Sequence, residues 1–240
     1  MAEPLRVDFI TLFPEMALNA VSHSIVGRAA KAGLAEYHAT NPRDFATDNH
    51  RTVDDTPFGG GPGMVMKCEP IAAALNSLPS LSPRSVVMTD PTGKRFEQVD
   101  AKRLSQLRHV VFVCGHYEGI DDRIRELYAT DVFSIGDYIL TGGELPALVM
   151  CDAIVRLLPG VLGSAESLEI DAHSQGLLSA PQFTRPEVFE GIRVPEELCR
   201  GDHGAKERWK RKVALNTTRR NRPDLFCRAE LDKADLDLLS

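Results

Sequence analysis

The stretch 109–119, HVVFVCGHYEG, decides how this chain is read: a five-residue apolar run behind His109, then a polar loop closed by glycines. A short unbroken apolar run bounded by turn residues is the pattern of a strand in the middle of a sheet. The same grammar occurs on either side of it. Ser85–Thr89 runs into Asp90-Pro91-Thr92-Gly93, and Asp131–Ile135 runs into Gly136–Glu144, GDYILTGGE. In open α/β sheets ligands collect beyond the carboxyl ends of strands, and three glycine-bearing loops at such ends make a pocket lined largely by main chain. One such loop reads as a tight turn; three on neighbouring strands favour a ligand.

Working outward, residues 5–11 (LRVDFIT) suit a further buried strand, with Phe13-Pro14-Glu15 opening a helix after it. Ser24–Gly33 suits a second helix stopped by its glycine, and 34–40 a strand. Residues 41–67 form a long polar, Gly-rich excursion. Helices are expected at Pro70–Leu78, Gln98–Leu107, Asp121–Tyr128 and Leu145–Leu158. Strands alternating with helices predict an α/β domain with a largely parallel sheet. The periodicity lapses over 160–176, which reads as a linker. Beyond it, Ala205, Trp209 and Val213 recur at i, i+4 and i+8, predicting an amphipathic helix with that stripe inward, in a small helical C-terminal domain.

The bulk properties set limits. At 240 residues, 43% hydrophobic and 26% charged, a sizeable core is expected. The start, MAEPLR, is no signal peptide, and no apolar run reaches membrane-spanning length, so a cytoplasmic protein is expected. Cys68, Cys114, Cys151, Cys199 and Cys227 are odd in number with no CxxC spacing, and read as reduced thiols acting as small core hydrophobes. The net charge is −6, yet Arg200–Arg222 holds nine Lys/Arg against two acids, a local +7 that leaves −13 elsewhere. Such a segment suits a phosphate-facing surface; a solvated helix face explains the charge equally well.

Ordinary cofactor fingerprints are missing. Gly59-Gly60-Gly61-Pro62-Gly63 follows no strand and is broken by Pro62, and GxxxxGK[ST], HExxH and GxSxG do not occur. Arg156 falls inside an apolar helix, where a guanidinium is costly unless paired or facing a pocket; a helix salt bridge to Asp152 is the plain explanation. Asp171, in the linker, is by default a solvated carboxylate.

Taken together, LFPEM (12–16), NPRDF (41–45), HRTVDDTPFGGGPGM (50–64), VCGHYEGID (113–121), SIGDYILTGGELPA (134–147), LPGVLG (158–163), TRPEV (184–188) and RWKRK (208–212) resemble the bacterial tRNA (guanine-N1)-methyltransferase family, TrmD, of the SPOUT class. The resemblance runs over nearly the whole chain. It implies a SPOUT-type α/β parallel sheet with a deep trefoil knot plus a small all-α C-terminal domain. Residues 1–160 would be the knotted catalytic domain, 161–176 a flexible linker and 177–240 a helical tRNA-binding domain.

The resemblance also implies a site. S-adenosyl-L-methionine would sit against the three loops. Its contacts would be Pro91 and Gly93 in the first, Gly115, Tyr117, Glu118 and Gly119 in the second, and Ile135, Gly136, Asp137, Tyr138, Ile139, Leu140, Gly142, Gly143 and Pro146 in the third. The family acts as a homodimer on the guanine at tRNA position 37, preceded by another guanine, in the anticodon stem-loop. Asp171 matches the family's general base and Arg156 the arginine that stabilises charge on O6. Family members need Mg²⁺, for which no carboxylate cage is visible here. Arg208, Lys210 and Arg211 would contact phosphates, and Asp54 the guanine edge. The chain departs from family patterns at Ala172-His173, where Ser-Phe is common, at Asp90, and at His116, an arginine in some members.

Two other readings remain open on sequence. A noncatalytic RNA-binding relative would fail to bind the donor in a titration, and the intact glycine loops disfavour it. A SPOUT enzyme modifying ribose 2′-OH or ribosomal RNA is disfavoured by the basic tail.

Overall fold

The computed structural model describes residues 3–163 and 176–239. By internal contact the chain divides into two units, Met1–Gly163 and Ser164–Ser240. Asp171 lies outside the described residues.

The first unit is built on β1 (Leu5–Ile10), β2 (Ala35–Thr40), β5 (Arg84–Arg95), β6 (His109–Cys114) and β7 (Asp131–Ser134). They form one sheet in the order β2-β1-β6-β5-β7, with every neighbouring pair parallel. Every residue of β6 is buried, as its central place and unbroken apolar run require. Alternate residues serve opposite faces. Val110, Phe112 and Cys114 join Phe9 and Val87 in one core, and Val111 and Val113 join Ile10, Val86 and Met88 in the other. Helices α1 (Pro14–Val21), α2 (Ser24–Lys31), α4 (Gln98–Leu104) and α6 (Glu144–Val155) supply the first core. Helices α3 (Cys68–Ser77) and α5 (Asp122–Tyr128) supply the second. Gly33 ends α2 at φ +70°, the left-handed position its lack of a side chain permits.

Several expectations need correction. The segment 90–93 is not a simple strand-to-helix turn. The chain loops out after Thr89 and rejoins the edge of β7, so that Phe133 faces both Thr89 and Lys94. Gly93 permits the return, because a Cβ there would lie 2.7 Å from Phe133 N and Val132 O. Arg156 is not inside α6 but caps its C-terminal end, half-buried, with its N–H donating to Asp152 O at 3.1 Å. The excursion 41–67 contains a small antiparallel pair, β3 (Asp54–Asp55) and β4 (Val65–Met66). Cys199 and Cys227 are exposed, on polar segments that bury little; Cys114 and Cys151 are buried as core thiols.

The second unit is not all-α. β8 (Val188–Phe189) and β9 (Ile192–Arg193) pair across Glu190 and Gly191, at φ 51° and 84°, the two left-handed residues of a tight hairpin turn. Helices α7 (Glu196–Cys199), α8 (His203–Asn221), α9 (Pro223–Phe226) and α10 (Lys233–Leu239) follow. Asp202 caps α8 by accepting from Ala205 N. The inward side of α8 differs from the expected stripe. Leu215 and Thr218 are its buried residues, while Ala205, Trp209 and Val213 are half-buried. Trp209 meets the Phe183 ring edge-on at 6.2 Å.

Candidate active site

The loops following β6 and β7, and the loop-out of β5, converge on one cavity of about 310 Å³ at the carboxyl ends of the strands. It is lined by residues 88–92, 115–120, 133–136 and 138–143 with Pro146. All the predicted cofactor-contacting residues lie in this lining except Gly93, which serves the return of β5, and Asp137, which is exposed. Thr89, His116 and Thr141 also line it without having been singled out. The available signal was that His116 and Thr141 lie inside the same loops and Thr89 ends the strand before the first of them.

The segments are laced together through their main chains. Gly143 N donates to Gly115 O at 2.8 Å, and residues 116 and 142 form an antiparallel bridge. A Cβ at Gly143 would lie 2.2 Å from Thr89 Oγ1 and 2.8 Å from both Cys114 Cα and Gly115 N, so this glycine touches all three segments. Thr89 Oγ1 donates to Val113 O at 3.3 Å. Tyr117 holds φ +61°, a costly conformation for a non-glycine residue and one that clusters at functional sites. Its hydroxyl accepts from Arg43 Nη2 at 3.4 Å.

The β3–β4 pair forms a flank of the site. Met66 N donates to Gly119 O at 2.9 Å, Glu118 N to Met64 O at 2.9 Å and Asp121 N to Met66 O at 3.0 Å. Asp54 is half-buried on β3, and Asp55 is exposed, accepting from Thr56 N at 2.8 Å. Under the loops, burial pushes the Cys114 thiol well above its ordinary range, and the nearby Glu144 carboxylate adds to the shift. Cys114 is therefore an inert core thiol beside the site. Arg156 is not among the residues lining the cavity.

The predicted phosphate-contacting cations fare differently from one another. Arg208 is exposed. Lys210 Nζ donates to Glu207 at 3.3 Å. Arg211 is committed to packing: its Nε and Nη2 both donate to Asp235 at 2.7 Å, and Asp235 is only 3% exposed. Hydrogen bonds from Arg211 outweigh burial and hold the Asp235 carboxyl below its ordinary 3.8. This pair thus supports the unit above that value and lets go as pH falls through the lowered folded one. Along the same helix, Trp209, Lys212, Asn216, Arg219 and Arg220 line a surface groove.

A family model described as tRNA (guanine-1)-methyltransferase TrmD matches residues 5–228. The chain belongs to the TrmD family. Among similar proteins named tRNA (guanine-N(1)-)-methyltransferase, one from Geobacter metallireducens is 50% identical over 232 residues, covering 96% of this chain and 95% of its own. Another, from Geobacter sulfurreducens, is 48% identical over 237 residues, covering 98% and 97%. A third, from Staphylococcus carnosus, is 47% identical over 235 residues, covering 98% and 96%. TrmD membership makes the protein a tRNA methyltransferase. No described helix is long and apolar enough to cross a membrane.

Proposed function

We propose that the protein acts in the cytoplasm and methylates N1 of guanine 37 in the tRNA anticodon stem-loop, drawing the methyl group from S-adenosyl-L-methionine. The observation that carries this reading is the cavity where the three loops converge, bounded by Gly115, Gly119, Gly136, Gly142 and Gly143. At about 310 Å³ it is within the range of small-ligand sites. Its residues fit the adenosine part of the donor: amides and carbonyls suit the adenine edge and ribose, and the apolar Ile135, Ile139 and Leu140 suit the flat faces of the adenine. When bound, the donor supplies an electrophilic methyl group on a sulfonium.

The chain's own residues supply the remainder. Asp171 takes the N1 proton, since guanine N1 is a poor nucleophile while protonated. A free Asp, with a pKa near ~3.9, is a weak base at neutral pH, so Asp171 acts by direct hydrogen bonding to N1–H or in a desolvated, closed linker. Arg156 offsets the negative charge that develops on O6. Asp54 accepts from a guanine N–H. Among the described residues no three His, Cys, Asp or Glu side chains converge as a metal-binding group.

Membership of the family supports a threaded, SPOUT-type knot in residues 1–160. Residues 161–176 act as the linker and 177–240 as the tRNA-binding domain. Exposed Phe13 and Met16 at the start of α1, Ile139 on the third loop, and Leu145 and Val149 one turn apart on α6 support burial against a second copy of the chain.

Unmodified tRNA transcripts carrying guanines at positions 36 and 37 test the substrate. Methylation is expected at guanine 37, and adenine at that position should abolish it; continued methylation would refute the assignment. The cationic face gives a second test. Neutralising Lys212, Arg219 and Arg220 together should weaken tRNA binding and reduce the slope of log K against log[salt] by about 2. Changing Arg208, Lys210 and Arg211 should also weaken binding, but loss of Arg211 will destabilise the unit by stranding Asp235. An unchanged salt slope in both triple variants would remove the tail from the interface.

A further inference from the structure

Glu144 opens α6 immediately after the third loop and is 2% exposed. A carboxylate withdrawn this far from water is costly unless each oxygen finds a donor. Both do. Thr11, just beyond β1 and 0% exposed, donates its hydroxyl to Oε1 at 2.5 Å, and His116 Nε2 lies 2.8 Å from Oε2. The ring nitrogen facing that oxygen carries the proton, because a bare nitrogen there would repel the carboxylate. The first turn of α6 adds a favourable dipole, since negative charge is stabilised at a helix N-terminus.

The two donors come from different parts of the site. Thr11 Oγ1 also accepts from Phe13 N at 2.9 Å, fixing the entry to α1. His116 belongs to the second loop and lines the cavity; its main-chain N–H donates to Met66 Sδ at 3.2 Å, and the Phe13 ring lies 5.0 Å from its imidazole. The space between is closed. A Cβ at Gly142 would lie 2.4 Å from His116 Cε1 and 2.7 Å from Glu144 Oε2. One buried carboxylate therefore ties the end of β1, the second loop and the third loop together at the wall of the cavity.

The geometry points to Glu144 and His116 as positioning residues for the methyl donor: their bond clamps the second loop to the third and holds the main-chain groups of Gly115, Gly142 and Gly143 where the donor needs them. This rests on the cavity being the donor site. Neither residue takes part in the chemistry, so its loss acts on donor binding ahead of turnover.

The test uses the full chain, with calorimetric titration of S-adenosyl-L-methionine, steady-state methyl transfer to tRNA, and thermal unfolding. His116→Ala removes the donor to Glu144. It is expected to raise the Kd and KM of the methyl donor about tenfold, with kcat at saturating donor falling less than about threefold. His116→Gln returns an amide N–H near the Nε2 position and should recover most of the affinity. Thr11→Val, nearly equal in volume, severs the other arm and should weaken donor binding in the same direction, which keeps the test open if His116→Ala does not fold. Variants that unfold at lower temperature but bind the donor as wild type does would overturn the inference, as would a loss confined to kcat. If the wild-type protein itself fails to bind the donor, it is the reading of the cavity that falls.

Discussion

An Asp171→Asn variant is expected to transfer methyl groups at least about 100-fold more slowly than wild type, with donor affinity unchanged. The ring nitrogen that must attack carries a hydrogen, and its in-plane electron pair is free only when that proton leaves. A positioned base typically contributes about 10² to 10⁴ in rate, and an amide cannot accept the proton at any accessible pH. Asparagine keeps the shape and an acceptor oxygen of aspartate, so substrate and donor should still bind. Single-turnover transfer with enzyme in excess isolates the chemical step. Raising the pH should partly restore the variant, because guanine N1 then ionises without help. A wild-type rate at neutral pH in Asp171→Asn would remove the base assignment and leave desolvation or charge stabilisation to account for the reaction.

The parts of this molecule legible in the sequence are those whose signal is local. The runs at 5–10, 109–114 and 131–134 are strands because apolar residues between turn residues have few other uses, and the loops behind them could be named at once. The loop-out and return of β5 were not legible. Lys94 and Arg95 pair with β7 although nothing apolar marks them, and the only requirement is a missing Cβ at Gly93. On α8 the apolar stripe misled. Arg211 looks like a solvent-facing cation in sequence, yet it is half-buried and held by Asp235, 24 residues away. The β8–β9 hairpin had a local signal, VFEGIR, with a Glu-Gly turn between Val188-Phe189 and Ile192-Arg193; its strands are only two residues each. Glu144 was hidden for the opposite reason. A glutamate at the first turn of a helix is ordinary, and its burial between Thr11 and His116 depends on residues 133 and 28 positions away.

Gly143→Ala is expected to abolish detectable donor binding while the rest of the first unit still folds. Its added methyl would meet Thr89 Oγ1 at 2.2 Å, which a rotation of Thr89 could relieve, but also Cys114 Cα and Gly115 N at 2.8 Å, which are main chain and cannot step aside. Relief therefore requires the third loop to move off the second, stretching the 2.8 Å bond from Gly143 N to Gly115 O. Overpacking of this kind costs about 1–3 kcal/mol in stability, a moderate loss for a chain this size. The cost to binding is larger, because displacement of about 1 Å misaligns every main-chain group offered to the donor at once. Gly115→Ala provides the graded comparison: its Cβ would meet only the Ile120 side chain, at 3.3 Å, so it should unfold closer to wild type than Gly143→Ala does. Calorimetric titration and thermal unfolding of both variants separate the two costs. If Gly143→Ala bound S-adenosyl-L-methionine normally, the donor would have to sit elsewhere, since no close-packed arrangement of these three segments admits that methyl and keeps the cavity's present walls.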